Sequence, residues 1–182
     1  MQTWAYRFIS LHIVPHLYYW FAPMRPIKEY AEITALIEPG DFLVSTSKFK
    51  LTHILIPGMI DHAAIYVGHG DVVEMIGKGW NKIPLRQFWR EATNMAVLRL
   101  NPHDEAYAYE MCGRANALKG TEYDIDFTLG VDFLYCSELL YVVDFENRAK
   151  FDLSDLKGLG KQYLSPTGVY QAKGCTVIYD TH

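Results

Sequence analysis

The stretch DHAAIYVGHGDVVEMI, residues 61–76, carries the clearest fold signal in the chain. Two runs rich in apolar, β-branched and aromatic residues, 62–67 and 72–76, flank the turn-forming residues Gly68-His69-Gly70-Asp71. Glycine adopts the positive φ angles that tight hairpin turns require. The stretch therefore predicts two antiparallel strands joined by a short turn.

Glu74 is the one charged residue in the second apolar run, where a carboxylate is unexpected unless it faces water or has a partner. Side chains alternate along a strand, so His62, Ala64 and Tyr66 share one face. A turn with an odd number of residues would pair Glu74 with Ala64 or Tyr66, on the face of His62. An even turn would place it opposite Ile65, facing away, and the sequence permits either register.

Outward from this hairpin, the chain alternates between strand and helix signals. Asn101 as N-cap and Pro102 as first residue predict a helix that ends near Gly120, and a second helix is predicted from about Cys136 to Ala149. Further strands are predicted at 42–45, 96–100 and 175–179, and a loop or short hairpin at 49–60. These elements predict an α+β fold in which a small antiparallel sheet packs against helices.

Composition excludes several classes of protein. The 182 residues suit one domain, half of them are hydrophobic, and the net charge of -4 argues against nucleic-acid binding. Three cysteines are too few and too scattered for a disulfide framework, and they form no C-x-x-C zinc pair. No cofactor is predicted.

The N-terminal residues 1–24 are unusual, with seven aromatic residues and one charged residue, Arg7. His12, Pro15 and His16 interrupt the apolar run, which weakens both a signal peptide and a transmembrane helix. We expect an aromatic helical segment at 1–37, packed on a catalytic domain at 38–182. The alternative is a segment that contacts a membrane surface or an amphiphile. A cytoplasmic location is favoured, with peripheral membrane association as the alternative.

Cys136 stands at the start of a predicted helix, where unpaired N–H groups and the helix dipole favour a thiolate. Cys112 lies on the apolar stripe of a helix and Cys175 in an apolar strand, so both are predicted to be core residues. The alternative for Cys136 is the same role, that of a small buried hydrophobe.

A thiol nucleophile needs a base, and the base needs an orienting group. Of the seven histidines, His62 alone opens a clear strand, and the small residues Ala63 and Ala64 leave room for a helix beside it. A metal site built from His62, His69 and Glu74 is disfavoured, because their spacing fits no usual zinc pattern.

The succession of motifs resembles the YiiX/YebB-like group of permuted NlpC-type, papain-like hydrolases, which are related to lecithin retinol acyltransferase. The resemblance spans roughly residues 38 to 170 and rests on five segments: Gly40-Asp41-Phe42, residues 61–68, residues 73–79, Tyr123-Asp124 with Phe127, and residues 135–139.

The resemblance implies roles for these residues. Cys136 would attack a carbonyl, His62 would shuttle the proton, and Glu74 would orient the imidazole. The backbone N–H of Cys136 would help to bind the oxyanion. Tyr123 and Tyr135 would bind substrate beside the site.

The predicted function is hydrolysis of an amide or ester bond through an acyl-enzyme, on a small-molecule, peptide or lipid-like substrate. Two alternatives remain open: an acyltransferase that acts on lipid or amphiphilic substrates, and a catalytically inactive binding module on the same fold. The sequence predicts no oligomeric state.

Overall fold

A computed structural model describes residues 27–46, 60–124, 133–156 and 161–182 of the chain. The aromatic segment 1–24, almost all of the predicted loop at 49–60, and Phe127 lie outside these residues. The predicted boundary between residues 37 and 38 also stays a prediction. Among the helices in the described part, none combines the length and the apolar character needed to span a bilayer.

The centre of the fold is a six-stranded antiparallel sheet. Its strands are β1 (Phe42–Thr46), β2 (His62–Gly68), β3 (Asp71–Ile76), β4 (Gly79–Pro84), β5 (Asn94–Leu100) and β10 (Cys175–Asp180). They lie in the order β10-β5-β1-β2-β3-β4. Two small two-stranded sheets accompany it: β6 (Glu122–Tyr123) pairs in parallel with β7 (Phe133–Leu134), and β8 (Ser154–Leu156) pairs antiparallel with β9 (Lys161–Tyr163).

Helices cover both faces of the six-stranded sheet. They are α1 (Ile27–Leu36), α2 (Leu85–Glu91), α3 (Glu105–Ala117), α4 (Cys136–Val143) and α5 (Pro166–Tyr170). Phe42 and Val44 of β1 pack with residues of α3, α4 and α5, whereas Leu43 between them packs with residues of α1 and α2. Burial on both faces explains why β1 is continuously apolar instead of alternating. The predicted α+β fold, with a small antiparallel sheet packed against helices, is confirmed.

The β2–β3 hairpin has the register that the Glu74 hypothesis needs. Ala64 pairs with Glu74, and the register shifts by one residue between Tyr66 and Gly68. The turn itself is the two residues His69 and Gly70, both with positive φ (55° and 81°). The extra residue within β2 therefore has the effect that was expected of an odd-numbered turn.

The predicted start of α3 is wrong by several residues. The N-cap is Asp104, whose side chain accepts the N–H of Tyr107, and not Asn101. Asn101 instead bonds towards β10: its N–H donates to Gly174 O at 2.9 Å and its amide donates to Thr176 Oγ1 at 3.1 Å. These tertiary bonds hold Asn101 towards β10, and the N-cap lies three residues later in the chain.

The predicted end of α4 is also wrong, since the helix stops at Val143 instead of continuing to Ala149. The buried carboxylate of Asp144 accepts the N–H groups of Arg148 and Ala149 and the hydroxyl of Tyr107, at 3.0, 2.8 and 2.6 Å. This carboxylate turns the chain away from the helix axis and ties it to α3. Strand β4 and the helix α2 that follows it were not predicted from the sequence.

A buried ion pair joins the turn before β1 to β5. Both oxygens of Asp41 accept from the guanidinium of Arg99 at 2.8 Å, and Oδ2 also accepts the N–H of Glu38 at 2.7 Å. Burial raises the pKa of Asp41, and the bonds from Arg99 oppose that rise. Arg99 also donates to Leu36 O at 2.7 Å, so one side chain connects α1, β1 and β5.

Replacing Arg99 with Met should lower the free energy of unfolding by about 3 kcal/mol, because it leaves a buried carboxylate without its cation. Urea denaturation followed by circular dichroism measures this. The matched control is Lys173→Met, whose ion pair with Asp152 is largely exposed and should contribute little. Equal effects of the two substitutions would contradict the structural role of Arg99.

Candidate active site

The first feature of the site is a buried pair of side chains on neighbouring strands. His62 is the first residue of β2 and Glu74 lies in β3, and the imidazole Nε2 donates to the carboxylate Oε2 at 2.6 Å. The two residues are 6% and 4% exposed. Glu74, a carboxylate in an apolar run, was expected to face water or to have a partner, and that partner is His62. Because Nε2 faces the carboxylate, Nδ1 is the nitrogen that could exchange a proton with a further group.

Asn81 of β4 completes this arrangement and was missed by the sequence reasoning. Its amide donates to the other carboxylate oxygen, Glu74 Oε1, at 2.8 Å. Asn81 is the direct cross-strand partner of Glu74. The sequence does contain a signal for Asn81, because Gly79–Pro84 has a polar residue at the position that faces Glu74. That signal can be read only once Gly79–Pro84 has been recognised as a strand.

Cys136 occupies the first position of α4, as predicted, and is 3% exposed. The backbone N–H of the preceding residue, Tyr135, donates to Glu138 Oε2 at 3.4 Å, one turn into the helix. The positive end of the helix dipole favours negative charge on a group at this position. Cys136 therefore lies at the positive end of the α4 dipole.

Helix α4 packs across β2 and β3, the strands that carry His62 and Glu74. Leu139 and Leu140 of the helix join the cluster that contains Ala63 and Ile65, whereas the His62 ring stacks on Phe88 of α2, with centroids 5.9 Å apart. Alternation along β2 thus turns the imidazole towards the α2 side. A contact between the thiol and the imidazole would therefore have to form at the end of the sheet where β2 begins.

The small sheet of β6 and β7 brings Cys136 to that same end. Trp80, at the start of β4, donates its N–H to Thr121 O at 2.9 Å, immediately before β6. Tyr123 of β6 pairs with Leu134 of β7, two residues before Cys136. β2 and β4 begin at the same end of the sheet, so these bonds place the start of α4 towards that end. The approach of Cys136 to His62 stays a prediction.

The two tyrosines predicted to bind substrate have different surroundings. Burial raises the pKa of the Tyr123 hydroxyl, and the nearby backbone N–H of Cys136 opposes that rise. Tyr135 is fully buried, and its hydroxyl accepts the N–H of Leu164 at 2.9 Å. Ser137 donates to Leu164 O at 2.6 Å, so these two residues tie the start of α4 to the segment before α5. Substrate binding by either tyrosine stays a prediction.

The other two thiols have surroundings that suppress ionisation. Burial raises the pKa of Cys112 to about 11 and that of Cys175 to about 12. Cys112 Sγ donates to Tyr66 O at 3.6 Å, which is a core contact. Neither residue begins a helix: Cys112 lies within α3 and Cys175 begins β10.

A solved structure shares this fold. It is the crystal structure of the metalloprotein yiiX from Escherichia coli O157:H7, with a TM-score of 0.70 and 18% sequence identity, and the match covers 80% of this chain and 98% of that one. At this identity the likeness shows the fold alone. The curated proteins give no match.

The donor groups of the described residues do not fit a metal centre. Within residues 27–46, 60–124, 133–156 and 161–182, no three His, Cys, Asp or Glu side chains are grouped so that they could hold a metal ion.

The model of one protein family covers most of the chain. The family of permuted papain-like amidase enzymes, YaeF/YiiX, C92 family, matches residues 36–179. The match includes His62, Glu74, Asn81 and Cys136, together with all six strands of the sheet up to Tyr179 of β10. On this evidence the chain belongs to the permuted papain-like amidases of the YaeF/YiiX, C92 family.

Proposed function

We propose that the protein is a cysteine amidase that cleaves its substrate through an acyl-enzyme on Cys136, with His62 as base and Glu74 as the group that orients it. The observation that carries the proposal is the buried 2.6 Å bond between His62 Nε2 and Glu74 Oε2, at the end of the sheet where the Cys136 helix begins. Membership of an amidase family supports amide hydrolysis.

The bond to Glu74 fixes both the tautomer and the orientation of the imidazole. With the Nε2 proton directed at the carboxylate, Nδ1 accepts the proton of the thiol. The resulting imidazolium lies beside a carboxylate that compensates its charge. In a pair this buried, that compensation matters more than it would in water, because the surroundings screen charges weakly.

In the proposed reaction, the Cys136 thiolate attacks the carbonyl carbon of an amide and forms a tetrahedral intermediate. The C–N bond then breaks, His62 gives its proton to the departing amine, and an acyl-enzyme remains. His62 then takes a proton from water, and the hydroxide attacks the thioester carbonyl. The C–S bond breaks, which releases the acid and restores the Cys136 thiolate beside a protonated His62.

The backbone N–H of Cys136 is the proposed oxyanion donor. This N–H lies near the Tyr123 hydroxyl, whose pKa it lowers against the effect of burial. A substrate carbonyl that accepts the same N–H would lie beside that hydroxyl. We propose on this basis that Tyr123 contacts the substrate next to the scissile bond.

The first test of the proposal is selective alkylation. Iodoacetamide at neutral pH should modify Cys136 at least about 10-fold faster than Cys112 or Cys175, because only Cys136 combines a helix start with a nearby imidazole. Peptide mass spectrometry of the folded protein measures the three rates. His62→Ala should slow only the Cys136 reaction. Equal rates at all three thiols in the wild type would argue against a catalytic Cys136.

The second test is the charge of Glu74. Glu74→Gln should lower kcat/KM by about 100-fold or more, because an amide NH₂ facing Nε2 forces the proton onto Nδ1, the nitrogen that must accept it. The imidazolium also loses its counter-charge, so the alkaline limb of the rate should move to lower pH. Aminoacyl p-nitroanilides and p-nitrophenyl esters of different chain length serve as probe substrates.

The control for this charge change is Glu32→Gln in α1, an exposed carboxylate paired with Lys28, which should leave the rates unaltered. Full activity of Glu74→Gln would remove Glu74 from the mechanism. Adding a primary alcohol or amine as acyl acceptor to the same assays separates two outcomes, since a hydrolase would release mainly the acid whereas a transferase would form mainly the acylated acceptor. A binding module would turn over none of the probes.

A further inference from the structure

We infer that Asn81 is a positioning residue of the proposed active site: it fixes the carboxylate of Glu74 and through it the imidazole of His62. The inference rests on the proposed function. It adds to that function a residue that touches neither the substrate nor the thiol.

The carboxylate of Glu74 is fixed from both sides by donors on the two adjacent strands. Oε2 accepts from His62 of β2 at 2.6 Å, and Oε1 accepts from Asn81 of β4 at 2.8 Å. The register places Glu74 opposite Ala64 on one side and opposite Asn81 on the other. With one donor on each oxygen, the carboxylate plane cannot rotate away from the imidazole without breaking a bond.

β4 is an edge strand of the six-stranded sheet, so the position of Asn81 depends on what anchors that edge. Trp80 provides two anchors: its backbone N–H donates to Thr121 O at 2.9 Å, and its indole Nε1 donates to Ala115 O at 2.8 Å. Gly79 has a φ of 93°, and a Cβ there would lie 2.4 Å from Thr121 O. The close approach of β4 to Thr121 therefore needs glycine at position 79. Because side chains alternate along β4, Trp80 on the α3 side leaves Asn81 on the opposite face, directed to Glu74.

A neutral donor suits this position. The amide stabilises the ionised form of Glu74 without offering a second cation that would compete with the imidazolium. Asp61, immediately before His62 in the chain, is a buried carboxylate. From α2 the side chains turned to the sheet are Leu85, Phe88 and Trp89, while Arg86 and Arg90 are exposed. The buried titratable groups of α4 are Cys136 and Glu138, and Lys82 of β4 pairs with Asp71.

Loss of the Asn81 donor should let Glu74 take up a proton at higher pH, because a hydrogen bond to the charged form of a carboxyl group favours that form. A protonated Glu74 no longer balances the imidazolium, so less Cys136 is present as thiolate in mildly acidic solution. The effect should therefore appear in the acid limb of Cys136 reactivity, which a purely structural role of Asn81 would not shift.

The experiment compares Asn81→Leu, which keeps the volume and removes the donor, with Asn81→Gln, which keeps an amide on a longer side chain. The probe is iodoacetamide, with Cys136 alkylation followed across the pH range. In Asn81→Leu the acid limb should move up by about one pH unit, and kcat/KM on the probe esters in mild acid should fall about 10-fold. Asn81→Gln should recover part of both.

The matched control is Lys82→Met, the next residue on the same edge strand, which should leave the acid limb in place. Alkylation of Cys112 reports loss of the fold. If Cys112 becomes reactive in Asn81→Leu, that variant has lost its fold. The acid limb is then measured in Asn81→Ala, whose smaller side chain cannot overpack the site. A wild type without selective Cys136 alkylation would overturn the proposed function itself. The other negative outcome is selective alkylation of Cys136 in the wild type with the same acid limb in Asn81→Leu and Asn81→Ala. That result would overturn the inference on Asn81 and leave the proposed function standing.

Discussion

One extra residue in β2 determines whether this protein has an active site of the kind proposed. A strand has a side-chain period of two, so a one-residue slip between β2 and β3 would turn Glu74 to the opposite face from His62. The register shift between Tyr66 and Gly68 sets the pairing of Ala64 with Glu74, and the positive φ angles of His69 and Gly70 close the hairpin in that register. The 2.6 Å bond follows from this pairing, as does the opportunity for Asn81 to reach the other carboxylate oxygen.

The thiol reaches the same end of the sheet by a different route. Cys136 follows β7, which pairs with β6, and β6 is attached to the start of β4 through Trp80 and Thr121. The side chains of Tyr135 and Ser137 then fix the start of α4 to Leu164. The proposed base and its proposed orienting group are thus held by the main sheet, whereas the proposed nucleophile is held by local bonds around a helix start. The two attachments are separate in the chain, where β2 with His62 comes before α4 with Cys136.

The features that sequence could predict were those with a strong local signal. Glycines around a turn, a carboxylate within an apolar run, and a cysteine at a helix start led to His62, Glu74 and Cys136. Asn81 had no such signal, because Gly79–Pro84 is short, half-polar and ends in proline, and its strand character depends on pairing with β3. The two misplaced helix ends have the same cause. Asn101 and Asp104 are both good caps, and only the bonds of Asn101 to Gly174 and Thr176 decide between them. The stop of α4 depends on bonds from Asp144 to Tyr107, which is distant in sequence.

The three cysteines show why environment, and not access, must distinguish a nucleophile in this fold. Cys112 and Cys136 are 5% and 3% exposed, so a reagent meets nearly the same barrier at each. Burial, together with the charge of Asp41, raises the pKa of Cys112 to about 11, and the nearby backbone N–H of Gly40 opposes that rise only in part. Cys136 is equally buried, but it begins a helix that packs on the strands of the His62–Glu74 pair. Any selective reactivity of Cys136 must therefore come from the helix N–H groups and the imidazole, because solvent exposure offers it no advantage.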